Sequence, residues 1–467
     1  MRSNDKLSSF EEGVLEQDRS TDADNAMSQL DMMAFGSPYA PVVFLLIPTF
    51  SILPGVYAKY FGIELMTIAA IMFYARMFDA VTDAVIGYFS DLHVKRGGRR
   101  KTWVICGCMA LMVTAYFLYT PPPKVSTQYY LFWLVSFYLF WTIVDIPHGA
   151  WGAEIATSYN NRAKLFSYRV AFSQVGTIGF FALPFLPLFS SDEYTPEVLR
   201  IAIYIGILVM VPILIFVFFK GPNGNAILVK GAARNTFKTT AISIIKNKPL
   251  RLFMMTYIAA SISFGMWTGL VFLYLDGYLG LGDKIAIILL VGNIAGLLSI
   301  PVWLRLIEKT SKSVTWAVGM LIYILLLIGC FGGGPGSVWW LSLFFVGGVY
   351  VCFACLSVVA PSILGDIVDY GILTFHDNRG GTYFAFSSLI FKVTMGLGTA
   401  FGIGVAGYFG FDATTHVQSD GGVFGMRLAF IILPGLCALG ALMLTILTPI
   451  TKHRHSIIRR RIESRLK

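Results

Sequence analysis

The sequence predicts an all-α membrane protein in which twelve transmembrane helices form two six-helix pseudo-repeats. Three observations carry this prediction. The chain of 467 residues is 56% hydrophobic and 13% charged, with a mean hydropathy of +0.69, far more apolar than a soluble protein. Its apolar runs repeatedly reach the ~20 residues that cross a bilayer as helix. Its basic residues cluster in alternate loops around one long polar interruption near mid-chain. That pattern sets orientation. The net charge of +10 is therefore read as topology, and no nucleic-acid partner is expected.

Taken in order, residues 1–37 carry Asp5, Glu11, Glu12, Glu16, Asp18, Asp22, Asp24 and Asp31 with few large apolar side chains. They read as a disordered acidic cytoplasmic tail. No basic n-region followed by an apolar core is present, so the first span is expected to direct insertion. Spans 1 to 12 are expected at about 40–62, 65–90, 102–121, 127–153, 165–189, 198–219, 250–275, 284–305, 313–331, 337–364, 382–407 and 425–450. The 3–4 connection has Lys124 alone, the 5–6 connection is acidic (Asp192, Glu193, Glu197), and the 9–10 connection is glycine-rich. In contrast, His93, Lys95, Arg96, Arg99, Arg100 and Lys101 follow span 2, and the central loop carries Lys220, Lys230, Arg234, Lys238, Lys246 and Lys248. By the positive-inside rule both termini are cytoplasmic, with 451–467 a basic anchoring tail. The cytoplasmic loop 220–249 divides a bundle at 38–219 from one at 250–450. A faint echo supports duplication: Gly152-Ala153-Glu154 with Asn161-Arg162 near the end of span 4 resembles Gly365-Asp366 with Asn378-Arg379 near the end of span 10.

The informative residues are charges inside these spans. Arg76, Asp79 and Asp83 lie in span 2, where each costs roughly 2.5–3.5 kcal/mol to insert. At 3.6 residues per turn the two carboxylates share one helix face, ~6 Å apart along the axis, with Arg76 one turn above. Like charges so close call for a cation, and this face reads as a cation site in a transporter. Asp145 in span 4 lies as far from its outer end as Asp83 does in span 2, so the two could share one ion, with hydroxyls from Thr142 and Thr82 adding hard oxygen ligands. The competing reading is a pair of structural salt bridges, Asp79 with Arg76 and Asp145 with Lys392. Lys392 in span 11, near midplane in the other half, could pair with the carboxylates until a cation competes. That would be a coupling device. His148, one turn below Asp145, either relays protons or is hydrogen-bonded in place. At the cytoplasmic ends, Asp91 with Arg99 and Arg100, and Asp366 and Asp369 with Arg379, either latch helix ends in one gating state or are solvated faces. The six cysteines, all in apolar segments, read as small hydrophobes without disulfide or metal roles. A membrane-embedded enzyme would need a nucleophile and base or a metal cluster at one depth, and a scaffold would have no use for three midplane carboxylates. Neither class fits.

On these residues the chain resembles the glycoside-pentoside-hexuronide:cation symporters, the melibiose-permease-like branch of the major facilitator superfamily. The carriers are Arg76-x-x-Asp79-x-x-x-Asp83-x-x-x-Gly87, Gly97-Gly98-Arg99-Arg100, Thr142-x-x-Asp145-Ile146-Pro147, Arg162 with Tyr168-Arg169, and Asp366-x-x-Asp369-Tyr370 through Lys392. The resemblance implies a sodium, lithium or proton site at Asp79, Asp83, Thr142 and Asp145, with Thr82 where melibiose permease has an asparagine. It also implies that Lys392 couples the site, together with Arg76, and that Asp145 and Arg169 contact sugar. Two departures stand out. The first span, Pro38-Tyr39-Ala40-Pro41-Val42-Val43-Phe44, lacks the charged pair that binds sugar in melibiose permease, and Gly149 stands where that protein has a tryptophan. Trp151, two residues on, is the nearest substrate-binding candidate. The family also includes relatives that move lysophospholipids. The expectation is therefore a monomeric, multi-pass symporter of the bacterial inner membrane, driven by Na+ or H+, with no other cofactor or metal. Its substrate would be a sugar or glycoside, or alternatively a lysophospholipid or other amphipath.

Overall fold

A computed structural model describes residues 27–156, 159–189, 191–223, 247–375, 380–415 and 417–447. Among them, eleven helices are long and apolar enough to cross a membrane. Span 1 is broken into Gln29–Gly36, Tyr39–Ser51 and Leu53–Phe61, with Pro48 and Pro54 flanking the second break, since proline lacks the N–H that continues a helix. Spans 2, 3 and 4 are Leu65–Lys95, Arg100–Tyr119 and Thr127–Ile155, and span 6 is Pro196–Lys220. In the second half, span 7 is Lys248–Leu273 with a π-helical turn Tyr274–Tyr278. Spans 8 and 9 are Ile285–Lys309 and Lys312–Gly329. Span 10 is Trp339–Phe345 and Val349–Phe375, span 11 Gly380–Tyr408, and span 12 Asp420–Arg427 continuing through a π turn into Leu433–Ile446.

Span 5 is the twelfth helix, Tyr159–Ala182. It starts earlier than expected, and it stops at a 3-10 turn, Leu183–Phe185, where Pro184 and Pro187 interrupt the helix. Its polar residues lower its hydropathy, and its packing against spans 1 and 8 explains how they are tolerated. A second difference is at the N-terminus, where part of the expected disordered tail is helical. Ser28 accepts a hydrogen bond from the Asp31 amide (3.2 Å) and caps Gln29–Gly36, whose Met32, Ala34 and Phe35 are buried. Side-chain caps also start spans 4, 6, 7, 9 and 12, from Ser126, Thr195, Asn247, Ser311 and Ser419, each satisfying an orphan amide. Most of the acidic tail, most of the central loop, Arg379 and the basic tail lie outside the described residues.

Within the first half, span 1 packs on spans 5 and 6, span 2 on span 4, and span 3 on spans 4 and 6. The second half repeats this set: span 7 on spans 11 and 12, span 8 on span 10, and span 9 on spans 10 and 12. The halves meet through span 2 on span 11 and its equivalent, span 8 on span 5. This correspondence is the pseudo-repeat that the sequence predicted. At 1.5 Å per residue, the 31 residues of span 2 extend about 46 Å, well beyond a ~30 Å hydrocarbon core. Its Asp91 end therefore stands in the polar layer. All six cysteines are free thiols.

Candidate cation and substrate site

Span 2 presents Arg76, Asp79 and Asp83, all under a tenth exposed, toward spans 4 and 11. The Thr142 hydroxyl of span 4 lies 2.8 Å from Asp79 Oδ1 and 2.9 Å from Asp83 Oδ1. A hydroxyl has one proton, so it donates to one carboxylate at a time while its oxygen stays close to both. From the other half, Lys392 Nζ reaches Asp83 Oδ1 and Oδ2 at 2.8 and 3.0 Å and Asp79 Oδ1 at 3.2 Å. Its ammonium sits 4.0 Å from the centre of the Trp141 ring, a cation–π contact. Arg76 Nη1 bonds Asp79 Oδ2 at 3.2 Å, and its guanidinium rests against the stacked rings of Phe50 and Tyr138, 4.3 Å from each ring centre. Gly396 of span 11 makes this possible: a Cβ there would lie 2.4 Å from the Arg76 side chain. Two cations and two carboxylates thus form a compact cluster whose formal charge is zero.

Asp145 occupies a second centre. Its Oδ1 accepts from Arg169 Nη2 of span 5 at 2.7 Å and from the Tyr39 hydroxyl of span 1 at 2.5 Å. The Tyr39 ring also supports the Arg169 guanidinium, 3.9 Å away. Side-chain exposures of 22% for Arg169 and 23% for Asp145, against 2% and 9% for Asp79 and Asp83, make this pair the accessible one. Among the described residues, no three His, Cys, Asp or Glu side chains gather within metal-ligating reach. In this arrangement Asp145 therefore stands apart from Asp79 and Asp83. Pro147 follows closely in span 4, and its missing N–H leaves the Ile143 carbonyl without its usual helical partner.

The expected residues divide as follows. Asp79, Asp83, Thr142, Lys392 and Arg76 converge. Asp79 pairs with Arg76 as one expectation had it, but Asp145 bonds Arg169, and Lys392 bonds the span 2 carboxylates. Thr82 turns its hydroxyl to its own helix, donating to the Asp79 carbonyl at 3.0 Å. Trp151 is 1% exposed and its indole donates to the Pro222 carbonyl at 3.0 Å, so it packs rather than lining an accessible site. His148 is fully buried, stacked on Phe35 at 4.1 Å, with Nε2 2.7 Å from the Phe35 carbonyl. That is the hydrogen-bonded reading. Tyr39 is the site residue that a search for charges does not find; a tyrosine as the first residue of an apolar helix was the available signal.

At the basic end, Arg100 bonds Glu154 and Asp91 at 2.5 Å each and Ser90 at 2.8 Å. These bonds tie spans 2, 3 and 4 of one half together. Arg99 is exposed and caps span 3 without a side-chain bond. Lys312 bonds Asp366 at 2.6 Å, joining the ends of spans 9 and 10 as Arg100 joins spans 3 and 4. Asp369 lies on span 10 a turn from Asp366. Glu154 and Lys312 are the partners that sequence reasoning missed, although Glu154 lies in the segment that echoes the end of span 10.

A model of the family described as MFS/sugar transport protein matches residues 33–452. The chain belongs to this family. Among relatives, it is 24% identical to the uncharacterized symporter sll1374 of Synechocystis, with 86% of this chain and 91% of the relative covered. It is 22% identical to the sodium-dependent lysophosphatidylcholine symporter 1-A of Danio rerio, over 80% of this chain and 77% of that one. Among solved structures, the nucleoside transporter NupG superposes with a TM-score of 0.66 at 11% identity, covering 91% of this chain and 100% of NupG. At that identity the likeness concerns the fold alone.

Proposed function

We propose that the chain is a secondary active transporter, a symporter that uses Na+ or H+ to carry a sugar or glycoside by alternating access. The observation that carries this reading is the Lys392 ammonium, which reaches from one half onto the Asp83 and Asp79 carboxylates of the other. The four carboxylate oxygens and the Thr142 hydroxyl are hard donors suited to sodium. With Lys392 in place their charge is already balanced. An entering cation must displace the ammonium, and that displacement loosens a contact between the halves. A cation at this cluster thereby alters the balance between conformations, which is what coupling requires. Asp145, expected in both roles, is assigned here to the substrate. The Arg169–Asp145 pair on the Tyr39 ring offers donors and an acceptor side by side, as a polyhydroxyl compound needs, and it is the accessible centre. No residue is assigned a catalytic role. The motif from Arg76 to Gly87 and the Thr142–Asp145 pair support placing the chain in the melibiose-permease-like branch. The basic loops support cytoplasmic termini in a bacterial inner membrane.

A second substrate reading is a lysophospholipid. It is favoured by the uncharged segment 38–44 and by the similarity to the sodium-dependent lysophosphatidylcholine symporter of Danio rerio. A thermal-shift screen of sugars, glycosides and lysophospholipids on the purified protein, with and without sodium and across pH, separates the two. A ligand that binds only the native state raises its stability by ~2.7 kcal/mol at a hundred times its Kd. Stabilisation by a glycoside that sodium or low pH enhances is the expected result. Stabilisation by lysophospholipid alone would overturn the sugar assignment, and stabilisation that ignores both sodium and pH would overturn cation coupling.

A further inference from the structure

The end of the bundle opposite Arg100 is closed by an ion pair that links the two halves. Lys59 stands in the last turn of Leu53–Phe61, where span 1 ends. Asp276 stands in the π-helical turn Tyr274–Tyr278, where span 7 ends. The Lys59 Nζ lies 2.8 Å from Asp276 Oδ1, with side-chain exposures of 20% and 5%. The helices carrying them touch just below: a Cβ on Gly55 would lie 2.1 Å from the Phe272 ring. Glu193 of the 5–6 connection is close by, since a Cβ on Gly282 would lie 2.4 Å from Asp276 Oδ1 and 3.4 Å from the Glu193 carboxyl.

From this pair inward, the halves are in contact along spans 2 and 11. Gly407 packs on Leu65, Gly404 on Ala69 and Gly396 on Arg76, and the series reaches the Lys392–Asp83 pair. The ion pairs at the opposite end, Arg100 with Asp91 and Glu154 and Lys312 with Asp366, each join helices of one half. We propose that Lys59 and Asp276 form the latch that holds the outer end of the transport path shut, and that their separation is a step in opening that end.

A buried ion pair suits this task better than an apolar contact. In a fixed core its desolvation offsets most of its attraction. At an interface that opens, both charges regain water as they part, so the closed and open states stay close in free energy. Removing one charge biases that balance toward the open state, because the bond across the halves is lost and the remaining charge gains water when they part. The inference rests on the reading that the halves move relative to one another, but its test needs neither cation nor substrate.

The test uses the full chain in intact cells, in a background lacking the six native cysteines. Met72→Cys supplies the reporter. Met72 is 1% exposed and lies between Ala69 and Arg76 on the stripe facing span 11. A Lys124→Cys control, in the 3–4 connection, establishes that a membrane-impermeant maleimide reaches that side. Lys59→Gln and Asp276→Asn are each expected to speed labelling of the Met72→Cys reporter by roughly tenfold. The charge-reversed double variant, Lys59→Asp with Asp276→Lys, is expected to restore slow labelling. Single variants that label at the parental rate, or a reversed pair that labels as fast as the singles, would overturn the latch. If labelling responds as expected while sodium and pH have no effect on the protein, the latch stands and the symport reading fails.

Discussion

Removing Lys392 gives the sharpest view of the coupling argument. Its ammonium contributes one of two positive charges in a cluster with two carboxylates, at 2.8 and 3.0 Å from the Asp83 oxygens and 3.2 Å from Asp79. At an effective dielectric constant near 20, charges ~3 Å apart interact by ~5 kcal/mol before desolvation. A cation entering the wild-type cluster must forgo much of this, because it replaces a partner already there. In Lys392→Ala the cluster carries a net charge of −1 and the competitor is gone. With most of the gross term cancelled by desolvation, about 1.4–2.8 kcal/mol is expected to survive as tighter cation binding, or ~10- to 100-fold. Trp141, whose ring centre is 4.0 Å from the ammonium, gives a local fluorescence signal for titrations with sodium and with protons. The variant should bind cation more tightly yet fail to accumulate substrate against a gradient, since cation entry no longer breaks a contact between the halves. Unchanged or weaker affinity for both cations would refute the competition.

Three further predictions follow from individual contacts. Arg100→Ala leaves Glu154, with its side chain 8% exposed, without its cation, and should lower unfolding stability in detergent by ~3 kcal/mol. Wild-type denaturation would show that the cluster does not hold spans 2, 3 and 4 together. Gly396→Ala would place a Cβ 2.4 Å from an Arg76 side chain held against two rings and bonded to Asp79. The cost should be ~1–3 kcal/mol, and the Lys392→Ala background should not relieve it, since the clash is with Arg76. Tyr39→Phe keeps the ring beneath Arg169 but removes the donor to Asp145. It should weaken binding of the compound found in the screen by roughly tenfold, about 1.4 kcal/mol, while leaving the cation titration unchanged. A parallel loss of cation affinity would contradict the division into two centres.

The fold was largely legible because its signals are local: apolar runs, alternating loop charge and a polar break at mid-chain. The charged cluster was partly legible too, since Asp79 and Asp83 share a helix face and Thr142 and Asp145 lie a turn apart on span 4. Depth says nothing about rotation around the helix axis. That is why Asp145 could be paired with Lys392 on paper while in the structure it turns to Arg169 and Tyr39. Thr82 shows the same limit: sequence adjacency to Asp83 offered a ligand, but its hydroxyl bonds its own backbone. Across the halves, Lys392 was legible as a partner of the span 2 carboxylates because it is a lone charge near midplane, whereas pairs at the helix ends were not. Lys59 and Asp276 are 217 residues apart, and a charge at a helix end carries no sign in the sequence of a partner so distant. Span 5 was expected a turn or two late because its first residues, 159–164, are polar, while the apolar run 183–189 beyond its end continues the hydropathy that the helix does not.

The central claim, that Asp79 and Asp83 hold the coupling cation while Asp145 serves the substrate, is tested most directly by cation-dependent stability of purified variants. Sodium titration against a choline control, paired with a pH titration, is run on the wild type, Asp83→Asn and Asp145→Asn. The account predicts that sodium or protons stabilise the wild type and Asp145→Asn alike, whereas Asp83→Asn loses the effect because a neutral amide cannot balance a dehydrated cation. Wild-type cation dependence in Asp83→Asn would contradict it.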